Sequence, residues 1–372
     1  MLIGVPKEVK EEEYRVGLTP DSVLELTQKG HSVFVQSQCG AGIGFQDNDY
    51  HHAGAEVLET AEQVFAAAEM IVKVKEPQPQ EYHLLKPHHL LFTYLHLAPD
   101  LQQAKGLLAS GCSAIAYETV INDQGQLPLL TPMSEVAGRL SIQAGAVALQ
   151  KNNRGRGVLL GGVPGVSPAE VLIIGGGVVG ENALMMALGM GANVTVMDRS
   201  LAKLNELDKR YFGRIKTVFS TSLAISEYSQ KADMIVGAVL VAGAKAPKLL
   251  TEDDVAKMKP GAVLVDVAID QGGCFATSQP TTHNEPTFIK HNVVHYCVAN
   301  MPGSVPLTSS KALNHATLPY VMMLADGGLK AVKSHYGLLQ GFTVHQGNIV
   351  HPAVADALGM AYVDPIEALQ SV

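Results

Sequence analysis

Short apolar runs alternate along this chain with segments whose apolar residues recur every three or four positions, and these two periods predict alternating strands and helices. In the first third, Leu2 to Val5, Val33 to Val35, Met70 to Val74, Leu90 to Leu95 and Ala114 to Tyr117 read as strands. Between the first two, Thr19 suits an N-cap, Pro20 the first helical position and Gly30 the stop, so one helix is expected there. Repeated βα units imply a parallel sheet covered on both faces. Met133 to Leu149, rich in alanine, reads as a helix leading to a second series, after which Lys151 to Gly162 form a loop of Asn, Arg and Gly. Further strands are expected at Val171 to Ile174, Val194 to Asp198, Met234 to Val239, Ala262 to Val267 and Val293 to Val298. From Pro302 a Pro/Ser/Thr loop precedes an apolar helical run, Leu318 to Val332, and Pro352 to Leu358 reads as a last helix. The fold class is α/β, with two doubly wound domains. Periodicity alone does not assign the C-terminal tail to either.

One stretch carries a motif. Val171 to Ile174 runs into Gly175-Gly176-Gly177-Val178-Val179-Gly180, the G-x-G-x-x-G turn that joins a strand to a helix in dinucleotide-binding domains. Gly175 can supply the tight turn, Gly177 lets backbone approach a pyrophosphate, and Gly180 lets helix and strand pack closely. The N–H groups at the helix start can then face phosphates. Asp198 closes the next strand 21 residues after Gly177, where a carboxylate can accept ribose hydroxyls. That favours NAD over NADP, although Arg199 beside it could accommodate a 2′-phosphate. With 36 glycines in the chain, a glycine-rich turn without function is the competing reading, and the placement of Asp198 counts against it.

Composition narrows the class. A length of 372 residues suits about two domains. There are 27 basic against 35 acidic residues, a net charge of −8, with no basic stripe for nucleic acid. Small-molecule chemistry is therefore expected. Apolar stretches fall short of the roughly 18 to 20 residues that cross a bilayer, and no charged-then-apolar leader opens the chain. Cys39, Cys112, Cys274 and Cys297 are scattered, as in a reduced, cytoplasmic chain, and no zinc-ligand spacing is visible.

In open parallel sheets ligands bind beyond the carboxyl ends of the strands. Polar residues at those ends are Lys75 after Met70 to Val74, His96 after Leu90 to Leu95, and Asp270 after Ala262 to Val267. Each has a bland alternative. Lys75, with Lys73 beside it, could be a solvated strand-end lysine, His96 is one of 14 histidines, and Asp270 competes with Asp266, which could cap or brace the strand, while either could simply start the turn before Gly272-Gly273. Arg15 follows Lys10-Glu11-Glu12-Glu13, which reads as a solvated charged loop, yet an arginine there could clamp a carboxylate bidentately. Histidine suits proton transfer beside a hydride path near neutral pH.

The chain also resembles the alanine dehydrogenase family, which includes the NAD-binding subunit of proton-translocating transhydrogenase. The resemblance rests on Ile3 to Glu8, Glu13 to Pro20, Val72 to Pro77, Thr93 to Ala98, Pro132 to Gly138, the glycine turn, Val265 to Gly273 and Asn300 to Gly303. It implies NAD-dependent oxidative deamination of L-alanine to pyruvate and ammonium, and the reverse. It implies that Arg15 and Lys75 hold the substrate carboxylate and carbonyl oxygen, and that His96 and Asp270 form the catalytic pair. Along NAD it implies Ser134, Gly175, Gly177, Val178, Gly180, Asp198, Lys203, Ser220, Val239, Leu240, Val267, Ala268, Ile269, Asp270, Val298, Ala299, Asn300 and Met301. Gln279 stands where some relatives have a basic residue, which undercuts a pyrophosphate contact there. The implied substrate domain is discontinuous, 1–128 completed by 305–372, around an NAD-binding domain, 129–304, with a cleft between them and a homo-hexameric assembly. Three rivals remain: a transhydrogenase subunit, a non-catalytic NAD(H)-sensing module, and a dehydrogenase for a longer amino acid with Tyr94 and Met133 shaping its pocket. His96 counts against the first, and the full set of strand-end residues against the second.

Overall fold

The computed structural model of the chain describes residues 1–239 and 246–370, so Leu240 lies outside the described residues. Two compact units emerge, Met1–Met133 with Val305–Val372, and Ser134–Ser304. Strands of the first unit are β1 (Leu2–Val5), β2 (Ser32–Gln36), β3 (Glu56–Leu58), β4 (Met70–Val72), β5 (Leu90–Thr93) and β6 (Ser113–Ala116). The second unit holds β7 (Glu170–Ile174), β8 (Asn193–Asp198), β9 (Lys216–Phe219), β10 (Met234–Gly237), β11 (Val263–Asp266), β12 (Thr287–Lys290) and β13 (Val293–Tyr296). Finally β14 (Phe342–His345) and β15 (Asn348–Ile349) return to the first unit.

Each unit is an α/β sheet wound twice. The first has strand order β15-β14-β6-β5-β4-β1-β2-β3, the second β12-β13-β11-β10-β7-β8-β9. In both, six parallel strands follow the order 3-2-1-4-5-6, and the winding reverses where β1 meets β4 and where β7 meets β10. Central strands are buried along their whole length, as in β4, β5, β6, β10 and β11, because helices cover both faces. Covering helices turn an apolar stripe inward. In Pro20–Gln28, Val23 and Leu26 are buried, and Pro20 takes the first helical position as expected.

The edges depart from the all-parallel expectation. β12 runs antiparallel to β13, and β14 runs antiparallel to both β6 and β15. Strands β3, β9 and β12 escape the apolar pattern because they are short and half-exposed at or near an edge. A larger difference lies at the C-terminal tail, where one helix spans Pro306–Gly327 through the predicted loop and across Pro319. Its first half buries polar side chains, so hydrophobic periodicity cannot reveal it. Ser310 Oγ accepts from Val16 N–H at 3.2 Å, and Asn314 Oδ1 accepts from Thr19 N–H at 2.8 Å. The expected run to Val332 is interrupted at Gly328, whose φ of 55° lies in the left-handed region, and Leu329–Ser334 forms a separate helix. No helix among the described residues is long and apolar enough to cross a membrane.

Candidate functional site

The glycine turn of the second unit joins β7 to the helix Val178–Gly189 at the β7/β10 reversal. Its glycines serve distinct ends. Gly175 has φ 104°, and a Cβ there would lie 2.7 Å from the Ala238 carbonyl oxygen. On Gly180 a Cβ would lie 1.7 Å from the Gly175 carbonyl oxygen, so helix and strand touch backbone to backbone. Gly177 differs from both. Nothing stands within 4 Å of a Cβ built on it, and the residue is exposed as the N-cap of the helix. No packing within the protein demands that glycine, whereas close approach of a pyrophosphate would.

Asp198, at the end of β8, fixes the turn. Its Oδ2 accepts from Gly176 N–H and its Oδ1 from Ser200 N–H, each at 2.7 Å. Lys203 lies against the same turn, its Cγ 3.3 Å from a Cβ built on Gly176, and its ammonium donates to Glu181 at 3.0 Å. Ser220 N–H donates to the Asp198 carbonyl at 3.0 Å. The expected nucleotide residues thus follow the carboxyl ends of β7, β8, β9, β10, β11 and β13: Gly175, Asp198, Ser220, Val239, Val267 and Val298. Ala268 and Ile269 are buried in the turn after β11, and Asn300 takes φ 61° just before Met301. Ser134 is half-buried near the start of the helix Thr131–Ala148. These residues fit a dinucleotide: a cradle left open at Gly177, helix N–H groups behind it, and an acid, Asp198, at the end of the next strand.

Asp266 and Asp270 differ in burial. Asp266 is fully buried and braces the turn by accepting from Ala268 N–H (3.1 Å), Cys274 N–H (2.8 Å) and Ser278 Oγ–H (2.6 Å). Asp270 is exposed in the short 3-10 turn Ile269–Gln271, with Asn300 N–H 3.4 Å from its Oδ2. Cys274 and Cys297 are fully buried, and burial pushes both thiols up, Cys297 to about 12, which keeps them in the unreactive thiol form.

In the first unit, Arg15, Lys75 and His96 all lie beyond the carboxyl ends of neighbouring strands, β1, β4 and β5. The charged run before Arg15 is not uniformly solvated. Glu11 is exposed, but Glu13 is buried and grips the Arg15 guanidinium bidentately, with Nε and Nη2 each 2.6 Å from a carboxylate oxygen. Burial alone would raise the Glu13 pKa, yet the hydrogen bonds and charge of Arg15 pull it down to about 2. Burial likewise works against the Arg15 charge, and Glu13 outweighs it. A further Arg15 N–H points at Met133 Sδ, 3.2 Å away.

Lys73 and Lys75 alternate across the strand end with opposite fates. Lys73 is wholly buried and pairs with Glu8 at 3.1 Å and Glu81 at 3.0 Å. Burial would lower its pKa, but the two carboxylates hold it above the ordinary lysine value. Glu8 also accepts from Val74 N–H at 2.7 Å and Lys75 N–H at 3.4 Å, and so clamps the backbone that delivers the half-buried Lys75. His96 is exposed in a left-handed conformation, φ 45°. A single carboxylate, Glu118 beyond β6, accepts from His96 N–H at 2.6 Å and from Leu95 N–H at 3.2 Å. The His96 ring lies parallel to Tyr94, 5.7 Å between centroids, and Tyr94 donates to the Leu129 carbonyl at 2.5 Å.

Glu8, Glu13 and Glu118 escape a reading of the sequence. Only Glu13 left a local trace, two residues before Arg15; the others act across 66 and 22 positions.

Comparison with known proteins agrees with this layout. Residues 4–137 match the alanine dehydrogenase/PNT N-terminal domain and residues 141–352 its C-terminal domain. An alanine dehydrogenase of Halomonas elongata is 56% identical over 365 residues, 98% of each chain. One of Mycolicibacterium smegmatis is 54% identical over 370 residues, 99% of this chain and all of the relative. A solved L-alanine dehydrogenase superposes with a TM-score of 0.94 at 50% identity, covering 96% of this chain and 99% of the other. A transhydrogenase of Sinorhizobium meliloti, at 23% identity and a TM-score of 0.81 over 95% of this chain and all of the other, shares the fold. With both domains matched in order and relatives above 50% identity along nearly the whole length, this chain belongs to the alanine dehydrogenase/PNT family.

Proposed function

We propose that this chain is an NAD-dependent L-alanine dehydrogenase that interconverts L-alanine with pyruvate and ammonium. What supports the reading most is the set Arg15, Lys75 and His96 beyond three adjacent strand ends, in a chain 56% identical to an alanine dehydrogenase. NAD supplies the hydride acceptor for the α-carbon of alanine. Arg15, held rigid by Glu13, takes the substrate carboxylate, and Lys75 takes the oxygen of pyruvate. Loss of hydride leaves an imine, to which water adds. His96 removes a proton from that water, returns it to nitrogen as the C–N bond breaks and accepts the remaining hydroxyl proton as the carbonyl forms, and Asp270 orients the water or the ammonia. The helix N-terminus at Val178 and the backbone at Gly177 receive the pyrophosphate, and Asp198 receives the adenosine ribose.

The test follows NADH absorbance with pyruvate and ammonium, beside reactions lacking ammonium or containing longer 2-oxo acids. Ammonium-dependent oxidation strongest with pyruvate is expected. No oxidation with any 2-oxo acid, despite NADH binding, would overturn the reading. His96→Ala should abolish turnover while NADH binding persists. The proposal extends to a homo-hexamer in the cytoplasm. Leu159, Val163 and Val166 leave an apolar surface, 65%, 54% and 62% exposed, available for burial against another copy. Light scattering after gel filtration and cell fractionation check the two statements.

A further inference from the structure

Asp198 by itself does not settle the choice between NAD and NADP, because Arg199 adjoins it and two more cations lie close by. Lys203 packs its stem against Gly176 beside the Asp198 carboxylate, and Arg210 sits two helical turns further along Leu201–Tyr211. Both are tied up. Lys203 Nζ lies 3.0 Å from Glu181 and 3.2 Å from Glu206, while Arg210 contacts Glu181 and lies 2.7 Å from Glu206. Glu181 belongs to the first turn of the dinucleotide helix, so the four side chains bridge the two helices that flank the ribose position. The two carboxylates raise the Lys203 pKa against the effect of its partial burial. Asp198, Arg199, Glu181, Lys203, Glu206 and Arg210 sum to zero charge. A 2′-phosphate, carrying about −1.5 to −2, would enter a neutral neighbourhood that includes the Asp198 carboxylate.

We propose that Glu181 and Glu206 are specificity-determining residues: they withhold Lys203 and Arg210 from a 2′-phosphate and so complete the preference for NAD that Asp198 begins. The inference rests on the dinucleotide reading of the glycine turn. Coulomb attraction in water is short-ranged, so a cation engaged by two carboxylates offers little to a third anion. Releasing one carboxylate turns the group net positive and leaves two cations each with a single partner.

Calorimetric titration of adenosine 2′,5′-bisphosphate and adenosine 5′-monophosphate into wild type and Glu206→Gln tests this without recourse to turnover. Glu206 is 45% exposed at its side chain, so the variant should fold, and its melting temperature checks that. The affinity ratio of bisphosphate to monophosphate should rise about three- to tenfold at low salt, the range of one or two exposed ion pairs, and shrink at about 0.5 M salt. Glu181→Gln should move the ratio the same way, and the NADPH to NADH ratio of kcat/KM should follow. An unchanged ratio, or equal gains for both nucleotides, would overturn the specificity role. If wild type binds neither nucleotide, the dinucleotide reading itself falls, and this inference with it.

Discussion

Replacing Gly177 by Ala separates folding from nucleotide binding. The glycine has φ −68°, which alanine adopts without strain, and its added Cβ would meet nothing within 4 Å. Two small effects oppose each other: alanine is a poorer N-cap than glycine by several tenths of a kcal/mol, and it restricts the unfolded chain by about 0.4–1 kcal/mol. Stability should therefore stay within about 1 kcal/mol of wild type. Binding should not. A methyl group in the path of the pyrophosphate displaces it from the N–H groups of the helix start, and hydrogen bonds to a charged group contribute about 1.5–3 kcal/mol each. Losing one weakens NADH by about 10- to 150-fold, at 1.4 kcal/mol per decade. Gly180→Ala is the contrast, since its Cβ would collide with the Gly175 carbonyl at 1.7 Å and cost about 3 kcal/mol or more of stability. The assay is a fluorescence titration with NADH beside thermal unfolding of the same preparations. If Gly177→Ala binds NADH within about threefold of wild type, the pyrophosphate does not approach there and the assignment fails.

Other outcomes follow from the same geometry. Glu118→Ala removes the acceptor that holds His96 at positive φ, a backbone state that costs a non-glycine residue about 1–2 kcal/mol. Its kcat should fall about tenfold with NADH affinity kept, Glu118→Gln should restore most of it, and an unchanged kcat would refute the role. Acid should destabilise the protein in two windows. His295 is fully buried and neutral: its Nδ1–H donates to the Val293 carbonyl at 3.0 Å, its Nε2 accepts from the Thr277 hydroxyl at 2.8 Å, and burial lowers its pKa to about 4. Unfolding releases it to an ordinary value of about 6.5, so its contribution is complete above that pH and is lost as pH falls to about 4, about 3 kcal/mol in all. Glu13 follows: its contribution is complete above an ordinary glutamate value of about 4.3 and is lost as pH falls through about 2. Melting temperatures that stay flat from pH 7 to 4.5 would contradict the His295 part. Asp266→Asn should loosen the turn that presents Asp270, because an amide NH2 replaces one of the oxygens that accept from Ala268, Cys274 and Ser278. A loss of about 2–4 kcal/mol in chemical denaturation is expected, and no change would show the brace to be dispensable.

Local features were legible in the sequence because their causes are local. The glycine turn, the helix behind it and Asp198 follow from chain geometry within one βα unit, and a ligand site at strand ends follows from winding a parallel sheet twice. Lys75, His96 and Asp270 could be singled out on that ground, and Arg15 as a possible carboxylate clamp. Burial could not be read in the same way. Glu11 and Glu13 are the same residue type two positions apart, yet one is solvated and the other buried against Arg15. Lys73 and Lys75 alternate as any strand would have them, and only the pairing of Lys73 with Glu8, 65 residues away, shows which one is structural. Tertiary structure alone revealed that Glu118 pins His96, that Asp266 braces while Asp270 stays exposed, and that the polar start of Pro306–Gly327 is helical. The physical reason is common to all of these: a buried polar group is stable only where a distant part of the chain supplies its partner, and no local pattern of apolar residues records that partner.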